Sequence, residues 1–345
     1  MKILFITHSL PVGGAESVAV SYLKKMKQQG EDVSLLEIAH VESFLSQEVR
    51  DLGIPYYTLL KSNMAERAVN RLAPACFIPR FNRLLKKIAP DVIHFQTIYR
   101  YIEYLDFPLN RCVFTFHARV ERTFNIGIWV KPLFDRLSNT ALQFVVISSK
   151  VEEDMHQIYP NAKCHLIPNG IDLDAIRRYH AEKETVRKEL GIGEGRFVLG
   201  QVGRFNKVKN HQFTIEVFNQ IVQRNSNAIL VLVGTGTEQE TQEISEAIEH
   251  YHLQDKVMML GLRDDATRLM TGLDVLIVPS LSESFSLVLI EAQANNVRCV
   301  ASSNIPAEVV CNPNCCQLSL DEPIEKWADM ILSNQEQGKG CEIER

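Results

Sequence analysis

The sequence Pro279-Ser-Leu-Ser-Glu-Ser-Phe-Ser-Leu-Val-Leu-Ile-Glu-Ala292 carries two glutamates, Glu283 and Glu291, at a spacing of eight residues. It follows the apolar run Asp274–Val278, which predicts a buried parallel strand. An apolar helix is predicted to begin near Ser286, so that Glu283 precedes the helix and Glu291 lies on its second turn. The free N–H groups at a helix start attract anions, phosphates above all. The stretch therefore predicts two carboxylates flanking an anion site.

The plain alternative for this pair is a capping acid and a solvated acid. The neighbours of Glu291 weaken it, because Leu287–Ile290 and Ala292 are apolar and an unpaired buried carboxylate is costly. A carboxylate on each side of the helix start could instead hold the hydroxyls of a sugar and a ribose. The spacing thus marks a candidate binding site at the carboxyl end of a strand.

Short apolar segments alternate with helical patterns along the whole chain. The predicted strands are Lys2–Thr7, Val33–Ile38, Pro55–Leu59, Val92–Phe95, Cys112–Phe116, Gln143–Ile147, Lys163–Ile167, Phe197–Val202, Ala228–Val233, Lys256–Leu260, Val275–Val278 and Arg298–Ala301. The helical patterns between them include Ala15–Gln29, Phe81–Ile88, Gln212–Arg224 and Gln239–His250. This alternation is typical of parallel sheets covered on both faces. The predicted class is α/β, with two doubly wound Rossmann-like domains facing a central cleft.

The length of 345 residues also favours two domains over one. A turn signal, Pro168-Asn-Gly-Ile-Asp172, separates the halves and is followed by a charged helical stretch. We expect a first domain over 1–168, a linker over 169–195, a second domain over 196–332 and a polar tail over 333–345. Ligands of such domains bind at the carboxyl ends of the strands.

The composition indicates a soluble globular chain, with 46% hydrophobic and 23% charged residues. No apolar run approaches the roughly 18 residues of a membrane helix. The cluster Cys311, Cys315 and Cys316 has neither the CxxC spacing nor the nearby histidine of a zinc site. The chain is therefore expected to be cytoplasmic with free thiols. Its net charge of −5 argues against a nucleic-acid partner.

Four glycine-bearing loops fall at predicted strand ends. They are Gly13-Gly14 with Glu16, Gly203-Arg204 with Lys209, Gly234-Thr-Gly236, and Gly261-Leu-Arg263. Glycine allows close backbone approach, and cations suit a diphosphate. Singly, each loop has a plain alternative as a tight turn or a solvated basic loop. Gly234-Thr-Gly236 resembles the start of a dinucleotide fingerprint, but Gln239 replaces the third glycine, so a Rossmann cofactor is not predicted.

Seven motifs, in order along the chain, resemble the retaining glycosyltransferases of family 4, which have the GT-B fold. They are Gly13-Gly-Ala-Glu16, Phe114-Thr-Phe-His117, Ile167-Pro-Asn-Gly-Ile-Asp172, Gly203-Arg204 with Lys209-Asn210, Val233-Gly-Thr-Gly236, Pro279-Ser280, and Glu283 with Glu291. The last pair satisfies the Glu-x7-Glu signature of that family. The similarity is to members that build bacterial capsular and exopolysaccharides.

The resemblance implies a hexosyltransferase with a nucleotide-sugar donor, UDP- or GDP-linked, with a UDP-sugar expected first. The acceptor would be a hydroxyl of a glycan or a lipid-linked oligosaccharide. No metal or other cofactor is expected, and the anomeric configuration would be retained. The leaving phosphate oxygen would take the acceptor proton on the same face of the sugar.

The resemblance also implies donor-side roles for individual residues. Arg204 and Lys209 would grip the diphosphate, and Glu291 would hold the ribose hydroxyls. Glu283 would contact the transferred sugar. Further donor contacts are expected from Gly14, Gly234, Arg263, Ser284, Phe285, Ser286 and Leu287.

The first half would contribute one catalytic side chain and the acceptor side. His117 would reach the transferred sugar and act with Arg204, Lys209 and Glu283. The acceptor side would include Gly13 and Glu16. Without the resemblance, His117 would be interpreted as a core histidine, as His94 is here.

Some positions depart from the family pattern or have a simpler interpretation. Ser284 and Ser286 stand where the family often has glycine, and Asn296 replaces another glycine but can adopt the same left-handed turn. Asp172 and Asp174 mimic a metal-binding pair, yet they follow a turn and are better explained as helix caps.

Two other functions stay open beside hexosyl transfer. One is a GT-B nucleotide-sugar epimerase or hydrolase, and the other is a non-catalytic partner subunit. The presence of Arg204, Lys209, Glu283 and Glu291 together favours the transferase.

Two segments of the first half mix basic and apolar residues. The basic residues are Arg67, Arg71, Arg80, Arg83, Lys86 and Lys87 in residues 65–90, and Arg119, Arg122 and Lys131 in residues 119–136. Such segments could dock on the anionic inner face of a membrane. An ordinary helix face packed on the sheet explains them equally well.

Overall fold

The computed structural model describes residues 1–11, 13–61, 78–96, 102, 105–120, 123, 125 and 130–333. The chain divides into two compact units, Met1–Gly170 and Ile171–Arg345. The division falls inside the turn at 168–172. The expected polar tail, apart from Ser333, lies outside the described residues, as do Arg67, Arg71 and Arg122.

The described part of the first unit is built on a seven-stranded parallel sheet with the order β3-β2-β1-β4-β5-β6-β7. The strands are β1 Lys2–Thr7, β2 Asp32–Ala39, β3 Tyr56–Leu60, β4 Val92–Phe95, β5 Cys112–Phe116, β6 Gln143–Val146 and β7 Lys163–Leu166. The helices are α1 Gly14–Gln28, α2 Phe44–Asp51, α3 Ile78–Ile88, α4 Val130–Leu137 and α5 Ser149–Ile158. Apolar side chains from both sheet faces form two buried clusters, as expected for a covered parallel sheet.

The second unit has a six-stranded parallel sheet with the order β10-β9-β8-β11-β12-β13. Its strands are β8 Phe197–Val202, β9 Ala228–Val233, β10 Val257–Met259, β11 Val275–Val278, β12 Arg298–Ser302 and β13 Cys315–Leu318. Its helices are α6 Leu173–Tyr179, α7 Lys183–Glu189, α8 His211–Arg224, α9 Glu238–His250, α10 Ala266–Leu269, α11 Leu287–Ala294 and α12 Ile324–Leu332. Trp327 of α12 is fully buried and packs against Phe213 of α8.

Each sheet contains one point where the strand order reverses. It lies between β1 and β4 in the first unit and between β8 and β11 in the second. Ligands of doubly wound folds bind outside the carboxyl ends of the strands at such a point. The loops that follow β1, β4, β8 and β11 are therefore the places to look for a site.

The predicted α/β class with two doubly wound parallel sheets is confirmed. Most strand ends agree with the sequence pattern to within one or two residues. Strand β13 was not predicted, because Cys315-Cys-Gln-Leu318 is only four residues long and lacks β-branched or aromatic residues, and it is identified by its pairing with β12.

The expected linker 169–195 contains α6 and α7, which belong to the second unit. Lys183 and Arg187 of α7 both pair with Asp274, at the start of β11, with N–O distances of 2.5 and 2.7 Å. Arg187 also donates to the carbonyl of Gly272 at 2.9 Å. These partly buried contacts join most of the segment to the second unit.

Neither a membrane-spanning helix nor a cluster of metal ligands is found in the described part of the chain. None of the helices there is both long and apolar enough to cross a membrane. No group of three or more His, Cys, Asp or Glu side chains in the described ranges is placed to hold a metal ion.

Candidate functional site

Backbone hydrogen bonds of two glycines connect the loops that follow β8, β9 and β10. The N–H of Gly203 donates to the carbonyl of Val233 at 2.9 Å, and the N–H of Gly234 donates to the carbonyl of Gly261 at 2.8 Å. Gly203 and Gly234 have φ angles of +154° and +145°. A Cβ on Gly234 would lie only 1.9 Å from the Gly203 oxygen. Glycine is required at Gly234 by both conformation and space.

Lys209, in the segment after β8, forms an ion pair with Glu283, in the loop after β11. Its Nζ lies 2.5 Å from Oε1 of Glu283, and the hydroxyl of Ser280 donates to the same oxygen at 2.9 Å. The two side chains are only 19% and 14% exposed, so solvent screens the pair less than a surface pair. The backbone of Lys209 is held by Asn206, whose Oδ1 accepts from the Lys209 N–H at 3.1 Å. A cation and an acid are thus held together beside the end of β11.

The loop after β11 is anchored on both sides. The hydroxyl of Ser302 donates to the carbonyl of Ser280 at 2.6 Å, and both residues are fully buried. On the other side, the N–H of Leu281 donates to the carbonyl of Val208 at 2.8 Å. These bonds connect the Glu283 loop to β12 and to the segment that carries Lys209. They set the position of Glu283.

Helix α11 begins directly after this loop, with Ser286 at the N-cap position. Ser286 is 4% exposed, and its hydroxyl has no partner among the described residues. The first N–H groups of a helix have no partner within the helix and carry a partial positive charge. Ser284, Phe285, Ser286 and Leu287 therefore lie where an anion would be stabilised.

Glu291 lies on the second turn of α11 in a less polar setting than Glu283. It is partly buried, and burial raises the pKa of its carboxyl group, while a hydrogen bond from Thr267 acts in the opposite direction. In the described part of the chain no cation forms an ion pair with it. Glu291 thus has spare acceptor capacity, and donors such as sugar hydroxyls would stabilise its charged form.

The two predicted arginines differ in their surroundings. Arg204 is exposed after β8, and no ion pair to it is found among the described residues. Arg263, after β10, is engaged by Asp265 in a two-pronged ion pair with distances of 2.8 and 2.9 Å. Arg204 is the freer of the two to meet an anion.

The predicted residues of the first unit include the start of α1. Gly13 is the N-cap of that helix, and its carbonyl accepts from the N–H of Ser17 at 3.0 Å. Gly14 is the first helical residue, and Glu16 lies in the first turn, where its charge suits the helix dipole. All three lie at the carboxyl end of β1, beside the strand-order reversal.

His117 is one end of a series of hydrogen-bonded side chains at the carboxyl ends of β4 and β5. Its Nε2 lies 2.6 Å from Oε1 of Gln96, and the Gln96 amide nitrogen lies 3.1 Å from Nε2 of His94. The hydroxyl of Thr115 is 2.7 Å from the same His94 nitrogen. The series joins two histidines that the sequence suggested treating separately.

These hydrogen bonds indicate which nitrogen of His117 carries the hydrogen. Oε1 of Gln96 can only accept, so the hydrogen is on Nε2 of His117, and the Nδ1 of the neutral ring keeps a lone pair. That Nδ1 is buried and has no partner among the described residues. Burial lowers the pKa of His117 to about 4 and that of His94 to about 3. His117 is thus a neutral acceptor at physiological pH.

The sequence analysis missed two residues of this arrangement, Gln96, which orients His117, and Thr267, which donates to Glu291. Ser280 was singled out only within the motif Pro279-Ser280, with no role, and it donates to Glu283. Gln96 offered a usable signal, because it directly follows a predicted strand whose carboxyl end lies beside that of β5. Nothing local in the sequence indicates the partner of Thr267, since the two residues lie on different helices.

The structure unites some predicted residues and separates others. Lys209 and Glu283 meet, whereas Glu283 and Glu291 have different partners. Asp172 caps α6 by accepting from the N–H of Ala175 at 2.9 Å, which confirms its interpretation as a cap. Asn296 has a φ of +58°, the predicted left-handed turn.

Family models match both halves of the chain. Residues 12–175 match the model described as Glycosyltransferase Family 4, and residues 182–339 match the model described as Glycosyl transferases group 1. The boundary between the two matches falls close to the division between the two compact units.

Curated relatives match part of the chain. EpsF of Bacillus subtilis (strain 168), which is named as a glycosyltransferase, is 35% identical over 49% of this chain and 44% of its own length. The UDP-Gal:alpha-D-GlcNAc-diphosphoundecaprenol alpha-1,3-galactosyltransferase of Escherichia coli is 29% identical over 41% of this chain and 37% of its own length. The matched segments thus span less than half of each of these relatives.

Solved structures match nearly the whole chain. Alr3699/HepE of Anabaena in complex with UDP-glucose has a TM-score of 0.78 at 20% identity, over 96% of this chain and 88% of that protein. WaaG, a glycosyltransferase involved in lipopolysaccharide biosynthesis, has a TM-score of 0.72 at 16% identity, over 95% and 89%. The likeness shows a shared GT-B fold.

Proposed function

We propose that this chain, which has the GT-B fold and matches a glycosyltransferase family model in each half, transfers a hexose from a nucleoside diphosphate sugar to a hydroxyl group. The acceptor would be a glycan or a lipid-linked oligosaccharide. The observation that carries the proposal is the partly buried pair of Lys209 and Glu283 at the start of α11, with Glu291 one turn further along. That arrangement combines a phosphate-binding cation, a helix start and two carboxylates.

Arg204, Lys209 and the start of α11 would bind the donor diphosphate. Charge grows on the diphosphate as the bond to the sugar breaks, and fixed positive groups in a partly buried site stabilise that charge. In the free protein Lys209 pairs with Glu283, so a bound diphosphate would compete for the ammonium group. The proposal assigns this stabilisation to side chains and backbone N–H groups and involves no metal ion.

Glu291 is proposed as the anchor of the donor ribose. Its carboxylate is partly buried and lacks a described cationic partner, so two ribose hydroxyls would supply the donors that it needs. Glu283 would instead face the transferred sugar. Ser284 and Ser286, in place of the family's glycines, add hydroxyls that could contact that sugar.

His117 is proposed as an acceptor of a hydrogen bond from the transferred sugar. Gln96 holds Nε2–H, which leaves the lone pair of Nδ1 for a sugar hydroxyl. A neutral acceptor in that role orients the sugar without taking its proton.

The transfer is proposed to retain the configuration of the donor sugar. The bond between the anomeric carbon and the diphosphate oxygen breaks, and the new bond to the acceptor oxygen forms on the same face. The acceptor proton passes to the leaving phosphate oxygen. This scheme needs no protein base, in keeping with the lowered pKa of His117, about 4, which makes its neutral ring a weak base.

A UDP-sugar is proposed as the donor. HepE, which shares this fold, has been solved with UDP and with UDP-glucose. The name of the Escherichia coli relative includes UDP-Gal as donor and a diphosphoundecaprenol-linked sugar. These likenesses support a role in the synthesis of a glycan or a lipid-linked oligosaccharide. We further propose that the product is a surface polysaccharide, such as capsule or exopolysaccharide, and that the transfer takes place on the cytoplasmic side of the membrane.

A thermal-shift screen against nucleoside diphosphates and their sugars tests the donor proposal. We expect UDP or a UDP-sugar to raise Tm more than GDP, ADP or their sugars, because binding to the folded state alone stabilises it. If GDP alone raised Tm, the donor would be a GDP-sugar and not a UDP-sugar. No shift with any nucleotide would contradict the transferase proposal.

The two alternative functions can each be distinguished from hexosyl transfer by a specific test. An epimerase or hydrolase would release free sugar from the donor without an acceptor, whereas a transferase would release it only slowly. A non-catalytic subunit would bind the nucleotide but turn over no acceptor. The Lys209–Glu283 pair and Glu291 favour the transferase over both.

A peripheral contact with the inner membrane face is proposed for α3. Its residues Arg80, Arg83, Lys86 and Lys87 are exposed, and its apolar side is buried in the sheet. We expect flotation with vesicles containing phosphatidylserine, and loss of flotation at high salt because the attraction is between exposed charges. Absence of salt-sensitive flotation would refute the contact.

A further inference from the structure

Glu37, at the end of β2, is a fully buried carboxylate outside the site described above. One of its oxygens, Oε1, accepts the N–H groups of Leu10 and Val41 at 2.8 and 3.1 Å. The other, Oε2, lies 2.6 Å from Nδ1 of His40 and 2.5 Å from the hydroxyl of Tyr56. A buried carboxylate is costly unless it is paired, and here four donors surround it.

The backbone of Leu10 is held from both sides. Its N–H donates to Glu37, and its carbonyl accepts from the hydroxyl of Ser43 at 2.5 Å. Ser43 is the N-cap of α2, so the two anchors come from β2 and from the helix after it. Leu10 itself is fully buried. The connection from β1 to α1 is therefore clamped at this residue.

The clamp lies just before the glycines at the start of α1. Leu10 precedes Gly13 by three residues, and Gly13 begins the helix by accepting from the N–H of Ser17. Gly13 and Gly14, the N-cap and first residue of α1, therefore begin the helix three and four residues after a backbone position that is held from two sides. The position of Gly13 and Gly14 thus depends on contacts made by β2 and α2.

We propose that Glu37 and Ser43 are positioning residues, which hold Leu10 and thereby the start of α1, where Gly14 is the residue expected to contact the donor diphosphate and Gly13 belongs to the expected acceptor side. The inference rests on the proposed function and extends it to residues that do not touch the substrate. A carboxylate suits the role, because all four of its neighbours are donors. Without the clamp the start of α1 would sample positions in which Gly14 fails to contact the diphosphate in the transition state.

A line of paired groups connects Glu37 to the surface. Nε2 of His40 lies 3.0 Å from Glu42, and Glu42 is bound by Arg50 at 2.6 and 3.1 Å. The hydrogen bond to Glu37 raises the pKa of His40. Protonated His40 therefore bridges two carboxylates, and the guanidinium group of Arg50 balances the outer one. The charge of Glu37 is thus compensated although its side chain is fully buried.

The decisive experiment compares Ser43→Ala with Ser46→Ala in the full chain. Ser43 and Ser46 form the two halves of the capping box of α2, but only Ser43 touches Leu10. Both variants should lose a similar amount of Tm, because each removes one half of the box. With the UDP-sugar that supports turnover, we expect kcat/KM to fall about tenfold or more in Ser43→Ala and less than threefold in Ser46→Ala.

Two further variants separate positioning from folding. Ser43→Thr keeps the hydroxyl and the cap, and should restore kcat/KM. Glu37→Gln keeps a carbonyl oxygen for Leu10 and Val41, and should be far more active than Glu37→Leu. If Glu37→Leu fails to fold, the Ser43 series still decides the question.

Hydrogen exchange of the peptide spanning residues 9–14 distinguishes the two levels of the proposal. Faster exchange in Ser43→Ala than in Ser46→Ala, together with the kinetic difference, supports the clamp. Equal kinetics and equal exchange in an otherwise active protein would overturn the clamp alone. A wild-type protein that binds and turns over no nucleotide sugar would overturn the proposed function and, with it, the role assigned to the clamp.

Discussion

At the residue scale, the two glutamates of the Glu-x7-Glu motif have unlike surroundings. Glu283 forms an ion pair with Lys209 and receives a hydrogen bond from Ser280, whereas the partner of Glu291 found in the described part of the chain is Thr267. The pair with Lys209 keeps a cation and an acid ready in a partly buried place. Glu291 is the acid whose charge depends on what binds next to it.

Replacement of Lys209 tests the phosphate role. We expect Lys209→Ala to reduce kcat by a factor of about a hundred or more, because the ammonium group stabilises charge that develops only in the transition state. Steady-state kinetics with the donor identified by the thermal-shift screen measures the effect. A near-normal rate would refute the assignment.

Lys207 provides the matched control for that measurement. It belongs to the same short turn, but it is exposed, and no ion pair to it is found in the described part of the chain. Lys207→Ala should therefore leave kcat within about threefold of the wild type. A large loss in both variants would point to disruption of the turn.

At the scale of elements, the site depends on the loops after β8, β9 and β10. We expect Gly234→Ala to destabilise the protein by about 1–3 kcal/mol or more, because its Cβ would overlap the rigid Gly203 carbonyl. The shift of Tm or of the urea midpoint measures the loss. The loops after β8 and β9 would also move apart, so nucleotide binding should weaken.

Gly193 is the control for the glycine prediction. Its φ lies outside the left-handed region, and a Cβ there would meet no atom within 4 Å. Gly193→Ala should change Tm little or raise it slightly, because alanine restricts the unfolded chain more than glycine does. Equal losses in the two variants would contradict the proposed role of the Gly203–Gly234 contact.

At the scale of the whole molecule, the buried histidines of the first unit make stability depend on pH. His94 and His117 titrate near pH 6.5 when unfolded, but burial lowers the pKa of each to about 3 and 4 in the folded protein. Between those values the unfolded chain binds protons that the folded chain does not. Stability should fall as the pH drops from 6.5 towards 4, by at most about 1.4 kcal/mol per pH unit for each histidine.

Thermal unfolding at pH 7 and pH 5 measures this dependence. His94→Gln should reduce the loss of Tm between the two, whereas replacement of the exposed His156 by Gln should leave it unchanged. His40 acts with the opposite sign, since its pKa is raised and its contribution is lost as the pH rises above its folded value. An unaltered pH dependence in His94→Gln would contradict the assignment.

Much of the architecture could be predicted because the relevant signals are local. Apolar runs such as Val275–Val278 and the helical pattern from Gln212 follow directly from residue order, and so does the position of Glu291 on a second helical turn. The exception, β13, is only four residues long, without β-branched or aromatic residues, and is defined by its pairing with β12. The glycine-bearing loops after β8 and β9 could also be predicted, since few other residues tolerate the backbone conformations of such glycines.

The partners within the site were beyond prediction, because they join residues distant in sequence whose meeting depends on strand order. Gln96 reaches His117 because β4 lies beside β5, and Glu37 reaches Leu10 because β2 lies beside β1. The sequence alone indicated the α/β class, the two units and the position of Glu291 on a second helical turn, all of which follow from local pattern and composition. The tertiary structure decided which acid is neutralised, which histidine nitrogen is left open and what holds the first glycine loop, because hydrogen bonds form only where the packed sheets bring donors and acceptors together.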